Sequence, residues 1–375
     1  MTEPSVTPPN RLMSLFEQEG QSPWLDNLRR GWITSGELDR WVEDGIRGLT
    51  SNPAIFQKAI DGSADYDDQF GELVRGGATT ETAYWNLVTS DIESALTALR
   101  PVYDASGGAD GFVSVEVDPG LARDTEGTTK AARELHELIS RPNLMVKIPG
   151  TAEGLPSIRQ MISEGRSINV TLIFSVPRYR EVTEAYIGGL EEAVAAGAED
   201  LSHISSVASF FISRTDTEID RRLGDIGTDA ASALQGQAAV AQGQVAYAAF
   251  AETFSGPRWE ALAARGARVQ RPLWASTSTK NPTYRDTLYV DELIGPDTVN
   301  TMPDATIEAF VDRGTVARTI DADPAAAQGV LDAVTALGVD LDDVAAVLEE
   351  EGVSAFVKSF DELLQSLEAK ADSLR

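Results

Sequence analysis

The chain contains no cysteine. Disulfides, zinc ribbons, iron–sulfur clusters and thiol nucleophiles are therefore excluded. Histidine is almost as scarce, with only His136 and His203 among 375 residues. A metal site built on several histidines is excluded, and a Ser-His-Asp triad would have to use one of these two. His136 falls in an amphipathic stretch and His203 just before a strand-like run. Both are expected to be packing or structural residues, which leaves acid/base work to carboxylates. Basic charge is short too: 31 Lys and Arg stand against 59 Asp and Glu, a formal net charge of −28. Nonspecific binding to nucleic acid or an anionic membrane needs a basic surface, so neither is expected as a partner. A phosphorylated ligand stays open, because a pocket can be locally basic inside an acidic field. No apolar run reaches the roughly 18 residues of a membrane span. The Ala-rich stretch 230–254 is broken by Gln235, Gln237, Gln242, Gln244 and Glu252 and reads as a soluble helix. The N-terminus lacks a basic region followed by an apolar one, so no secretory signal and a cytoplasmic location are expected.

What is present suits a packed core: 42% of residues are hydrophobic and 24% charged. Residues 1–10 are rich in Pro and Ser and are expected to be disordered. Beyond them, short β-rich runs alternate with longer helical stretches. Strands are expected around Trp24–Asp26, Leu49–Asn52, Phe112–Val117, Leu144–Ile148, Ile168–Phe174, Ile204–Phe211, Pro272–Ser276 and Val299–Met302. Apolar residues at three- and four-residue spacing mark helices over Thr82–Leu99, Thr125–Ile139 and Val353–Leu374. Intervals 53–111 and 212–268 have room for more than one helix. Eight strand–helix units point to an α/β protein of parallel strands: a closed (β/α)8 TIM barrel ahead of an open doubly wound sheet. No Pro/Gly/Ser linker divides the chain, so 11–375 is expected to be a single barrel domain with additional N- and C-terminal helices. GxGxxG after a strand, GxxxxGK[ST], HExxH and the EF-hand loop are all missing.

The informative feature is polar residues inside strand-like runs. Residues two apart share a face, and barrel active sites lie at the C-terminal ends of the strands. In Leu144-Met145-Val146-Lys147-Ile148-Pro149, a lysine sits near the end of a strand that is otherwise apolar on both faces. It could be an end-of-strand lysine snorkelling to water. It could equally be a nucleophile: a neutral amine adds to a carbonyl, an ammonium cannot, and burial in general favours the neutral form. A Schiff base is the natural product. Two acids occupy similar positions. Asp26 ends the first strand and could instead be a helix cap or turn former. Glu116 shares a face with Ser114 and Asp118 and could instead form a rim salt bridge with Lys147. Schiff-base chemistry needs such acids, one to protonate departing water and one to take a hydroxyl proton during carbon–carbon cleavage. Thr50 and Asn52 share one face, Asn169 and Thr171 another; Ser205 and Ser209 pair likewise, as do Ser276, Ser278 and Lys280. Singly, each could be a satisfied turn or core group; together they line an interior suited to a polyol. Arg214 and Lys280, just past strands six and seven, are either surface charges or a phosphate site of the kind common late in barrels.

At this point the residues resemble a known family. Gly48-Leu49-Thr50-Ser51-Asn52-Pro53-Ala54-Ile55-Phe56, Val113-Ser114-Val115-Glu116-Val117-Asp118, Val146-Lys147-Ile148-Pro149-Gly150-Thr151 and Ile168-Asn169-Val170-Thr171-Leu172-Ile173-Phe174-Ser175 follow one another as in transaldolases. Trp274-Ala275-Ser276-Thr277-Ser278-Thr279-Lys280-Asn281-Pro282 resembles the longer bacterial type. The likeness runs from about residue 11 to the C-terminus and is weakest in 53–111 and 212–268. It implies a cofactor-free class I aldolase barrel of the pentose phosphate pathway, a monomer or homodimer acting on sugar phosphates. Such enzymes move a dihydroxyacetone unit from sedoheptulose 7-phosphate to glyceraldehyde 3-phosphate, giving erythrose 4-phosphate and fructose 6-phosphate. By the resemblance, Lys147 is the Schiff-base lysine, Asp26 the general acid/base, and Glu116 the acid that works through a water. Thr50, Asn52, Asn169 and Thr171 surround the dihydroxyacetone moiety or that water, and Ser209 contacts the moiety. Arg214, Ser278 and Lys280 form the phosphate site, where shorter relatives often have arginine in place of Lys280. Another lysine aldolase acting on sugar phosphates, or a noncatalytic sugar-phosphate-binding barrel, are the alternatives.

Overall fold

The computed structural model describes residues 10–374. Its strands are β1 (Gln21–Leu25), β2 (Leu49–Thr50), β3 (Val113–Glu116), β4 (Leu144–Pro149), β5 (Ile168–Ile173), β6 (Ser206–Phe211), β7 (Arg271–Ala275) and β8 (Thr298–Met302). Each pairs in parallel with the next, and β8 returns to β1 in a closed barrel. The closed alternative is thus the one adopted, and the open sheet is not. Nearly every strand residue is buried on both faces, which explains why β4 reads as a continuous apolar run interrupted only by Lys147.

The two long intervals hold several helices, as their lengths required. Helices Pro53–Asp61, Asp67–Arg75 and Thr80–Ala105 fill the first, and Ser213–Ile226, Asp229–Ser232, Ala238–Thr253 and Gly256–Ala263 fill the second. Helix Thr125–Ile139 has the expected bounds; Asp124 caps its start by accepting the Gly127 amide, and Ser140 ends it at φ 41°. The long helix expected over Thr82–Leu99 runs from Thr80 to Ala105, with Thr79 as its N-cap. The segment expected to be disordered, 1–10, lies outside the described residues except for Asn10, whose side chain caps helix Arg11–Glu19.

Among the boundaries that differ, three bear on the site. β2 stops at Thr50, because Asn52 leaves the ladder to cap the next helix, accepting the Ile55 amide at 3.0 Å. β1 starts three residues earlier than expected, Pro23 lying inside a strand paired to β8. The C-terminal helix begins at Leu341 and runs to Leu374, well ahead of Val353. Asp340 caps it through the amides of Asp342 and Asp343, and Gly352 lies mid-helix where it packs closely on Leu172. Among the described residues, no helix is long and apolar enough to cross a membrane.

The N-terminal end of the barrel is sealed by one buried acid. Asp110, 1% exposed, accepts from Ser22 Oγ, from Trp24 Nε1 at 2.9 Å, from Arg47 Nε at 2.8 Å and from Arg271 at 3.3 Å. These donors come from β1, the approach to β2 and β7, so the acid ties non-neighbouring strands together. Removing one partner of a buried charge cluster leaves the others uncompensated, at a cost of about 3–5 kcal/mol. Asp110→Ala should therefore lower the unfolding free energy obtained from urea denaturation by that margin at pH 7. Because the change lies at the end opposite the mouth, kcat of the folded fraction should stay within about twofold of wild type. A stability loss under about 1 kcal/mol would contradict the sealing role.

Candidate active site

The mouth at the C-terminal ends of the strands opens into a cavity of about 940 Å³. Lys147 projects into it from β4 and is 5% exposed. Its register partners are Glu116 on β3 and Asn169 on β5. Lys147 Nζ lies 3.5 Å from Glu116 Oε2 and 3.4 Å from the Ser51 carbonyl oxygen. Glu116 is itself 5% exposed, and among the described residues neither of its oxygens accepts a regular hydrogen bond. Burial therefore pushes its carboxyl pKa up, more than Lys147 holds it down, and the nearby charge of Asp26 pushes the same way.

Asp26 is the first residue past β1, and its amide extends the ladder by donating to Met302 O at 2.8 Å. Its carboxyl lies deep in the mouth, although the residue is only partly buried. Burial raises its pKa; Lys147, a hydrogen bond from Thr50 and the charge of Lys280 oppose that rise. The Thr50 hydroxyl donates to Asp26 Oδ1 at 2.6 Å and meets Thr301 Oγ1 at 2.6 Å. Thr50 has one proton, and with it committed to Asp26 the second bond must be donated by Thr301. Lys147 and one carboxyl of raised pKa, Asp26, thus line the cavity, and a second, Glu116, stands directly behind the amine, the arrangement that proton transfer during carbonyl chemistry requires.

The model of the transaldolase/fructose-6-phosphate aldolase family matches residues 23–367. A transaldolase of Saccharopolyspora erythraea is 50% identical over 368 residues, covering 98% of this chain and 99% of that protein. Transaldolase 1 of Streptomyces avermitilis is 51% identical over 362 residues, covering 96% and 95%. A transaldolase of Thermobifida fusca is 52% identical over 347 residues, covering 92% and 94%. The chain belongs to the transaldolase/fructose-6-phosphate aldolase family.

Of the positions that pointed to this family, Asp26, Thr50, Asn52, Lys147, Ser209, Arg214, Ser278 and Lys280 line the cavity. Asn52 spends its Oδ1 on the Ile55 amide, which leaves its Nδ2 as a donor. Glu116, Asn169 and Thr171 are not on the cavity wall. Glu116 backs Lys147, and Asn169 joins the barrel interior, accepting from Ser209 Oγ at 2.7 Å and donating to Ser114 Oγ at 3.0 Å. Thr171 is fully buried, and its hydroxyl has no partner among the described residues. The interior polar lining expected from strand parity is therefore a bonded chain across β3, β5 and β6. Neither histidine reaches the cavity. His203 is exposed, and burial with the charge of Arg166 holds His136 down to about 4, so it is neutral at pH 7.

Two residues escaped the sequence reading. Thr301, on β8, could have been found by the same parity rule, since it is next to last in a strand whose residues are all buried. Lys58 could not: it lies on helix Pro53–Asp61, where a lysine at an exposed position carries no signal. It lines the cavity with Arg214 and Lys280, and none of the three forms an ion pair among the described residues. Lys280 Nζ donates to Ser278 Oγ at 2.8 Å. Burial lowers the Lys280 pKa, and the charges of Arg214 and Lys58 lower it further. Three mutually repelling cations thus stand unpaired among the described residues in a chain of net charge −28.

The Thr50 bond favours the ionised form of Asp26, so its loss must raise the pKa. In Thr50→Val the Asp26 carboxyl should titrate at higher pH than in wild type, followed by carboxyl-carbon NMR. An unchanged or lower titration would show that Thr50 does not set this carboxyl.

Proposed function

We propose that the chain is a transaldolase-type transferase that works through an imine on Lys147, with Asp26 and Glu116 as its proton-transfer groups. The single observation that carries this assignment is the buried amine 3.5 Å from one carboxyl in a mouth that also holds a second. The amine adds to the C2 carbonyl of the ketose phosphate. Glu116 supplies, through a water, the proton with which the carbinolamine hydroxyl leaves, and the C=N bond forms. Asp26 then takes the C4 hydroxyl proton as the C3–C4 bond breaks. The electron pair moves into the imine, giving an enamine, and an aldose phosphate departs. A carboxyl of raised pKa keeps that proton until the acceptor aldehyde is attacked at its carbonyl carbon, when the new alkoxide receives it. Sedoheptulose 7-phosphate gives up erythrose 4-phosphate in the first half, and glyceraldehyde 3-phosphate becomes fructose 6-phosphate in the second. Asn52 Nδ2 and Ser209 hold the hydroxyls of the dihydroxyacetone unit.

The phosphate is assigned to Arg214, Lys280, Ser278 and Lys58. A lysine binds phosphate as a point charge without the bidentate fork of arginine. Lys58 adds the charge that Lys280 in place of arginine lacks in directionality.

The assay for the reading is formation of erythrose 4-phosphate from sedoheptulose 7-phosphate with and without glyceraldehyde 3-phosphate. Turnover should depend on the acceptor, and Lys147→Met, close in shape and uncharged, should lose at least about 10³-fold in kcat/KM while folding normally. Activity retained in that variant would refute the assignment. Lys58→Ala should raise KM for the sugar phosphates about tenfold and leave kcat within about threefold, the pattern of lost uniform binding. A fall in kcat with KM unmoved would remove Lys58 from the phosphate site.

A further inference from the structure

The C-terminal helix Leu341–Leu374 packs on the end of β5 and on the helices that follow β2 and β6, so it straps the mouth. Its seat is specific. Leu172 on β5 takes φ 59°, a left-handed conformation unusual for leucine, and the β5–β6 register shifts between Val170 and Ile173. The irregularity brings Leu172 into one apolar cluster with Met145, Phe174, Phe211 and Phe356. Gly352 lets the strap lie close here, since a Cβ at that position would stand 3.0 Å from Leu172 Cδ2. One turn further on, Phe356 lines the cavity, 5% exposed, with its ring centroid 5.9 Å from Lys147 Nζ. Ion pairs clamp the strap from outside: Glu349 with Arg123 at 2.7 Å, and Asp343 with Arg222 at 2.7 Å.

We propose that Phe356, held over Lys147 by this strap, is the positioning residue that decides whether the cleaved donor is transferred or hydrolysed. The inference rests on the imine chemistry proposed above. After cleavage the enamine has two fates. It can add through C3 to an acceptor aldehyde. Alternatively a proton is delivered to C3, water adds to the imine carbon, and the C–N bond of the resulting carbinolamine breaks, freeing dihydroxyacetone and the Lys147 amine. The second route consumes one water and needs it beside the imine. The ring of Phe356 covers the lysine with a face that offers no hydrogen bond to orient water. The cations lining the same cavity, by contrast, offer charge to a phosphorylated acceptor.

The test uses fructose 6-phosphate and follows free dihydroxyacetone alongside transfer to erythrose 4-phosphate. Phe356→Ala should raise the ratio of hydrolysis to transfer about tenfold, and Phe356→Leu, still apolar, should leave it within about twofold. A merely structural role would slow both routes together; an unchanged ratio in Phe356→Ala would overturn the proposal. Should that variant not fold, Gly352→Ala carries the test, because a methyl there presses the strap away from Leu172 and should move the ratio in the same direction. An unchanged ratio in folded Gly352→Ala would overturn it as well. If wild type transfers nothing between these sugars, the imine reading itself falls, and this inference falls with it.

Discussion

The arrangement depends on one costly placement: an amine and a carboxyl set side by side, each 5% exposed, with Lys147 the one buried Lys or Arg among the described residues. Desolvation of such a pair is not recovered fully by its own attraction. The barrel supplies what makes it tolerable. Adjacent strands in register put Glu116 opposite Lys147, the Ser51 carbonyl faces the amine, and the apolar strands around them fix both side chains. Stability lost there is made up elsewhere, in a core that runs around the whole barrel and in the Asp110 cluster that closes the far end.

Electrostatics divides the mouth into two regions. Burial raises the pKa of Asp26 on the cavity wall and of Glu116 behind Lys147, while three cations lining the same cavity stand without ion-pair partners among the described residues. Elsewhere the molecule pairs its scarce basic residues freely, as Arg258 does with Glu184 and Glu191, so the exception is informative. In the proposed reading a sugar phosphate puts its carbonyl end at the lysine and its phosphate at the cations. The membership of the chain in the transaldolase/fructose-6-phosphate aldolase family agrees with that polarity.

Much of this was legible in the residues because a barrel imposes strict parity. Lys147, Glu116 and Thr50 each broke an apolar run at an inward position toward the end of a strand, and Asn169 did so near the start of β5, in register with Lys147. Illegible features were those set by contacts distant in sequence. Lys58 looks like any exposed helical lysine until the loop bearing Lys280 folds beside it. The irregularity at Leu172 is invisible in a sequence that reads as regular β. The strap begins at Leu341, twelve residues before the expected Val353, and runs through Gly352, whose close approach to Leu172 is a contact distant in sequence.

The most direct measurement is reduction with borohydride in the presence of fructose 6-phosphate, followed by peptide mapping of the modified chain. The account predicts a single adduct of one dihydroxyacetone unit on Lys147, absent when the sugar is omitted. An adduct on another lysine, Lys58 or Lys280 included, or none at all in a protein that turns over, would contradict it.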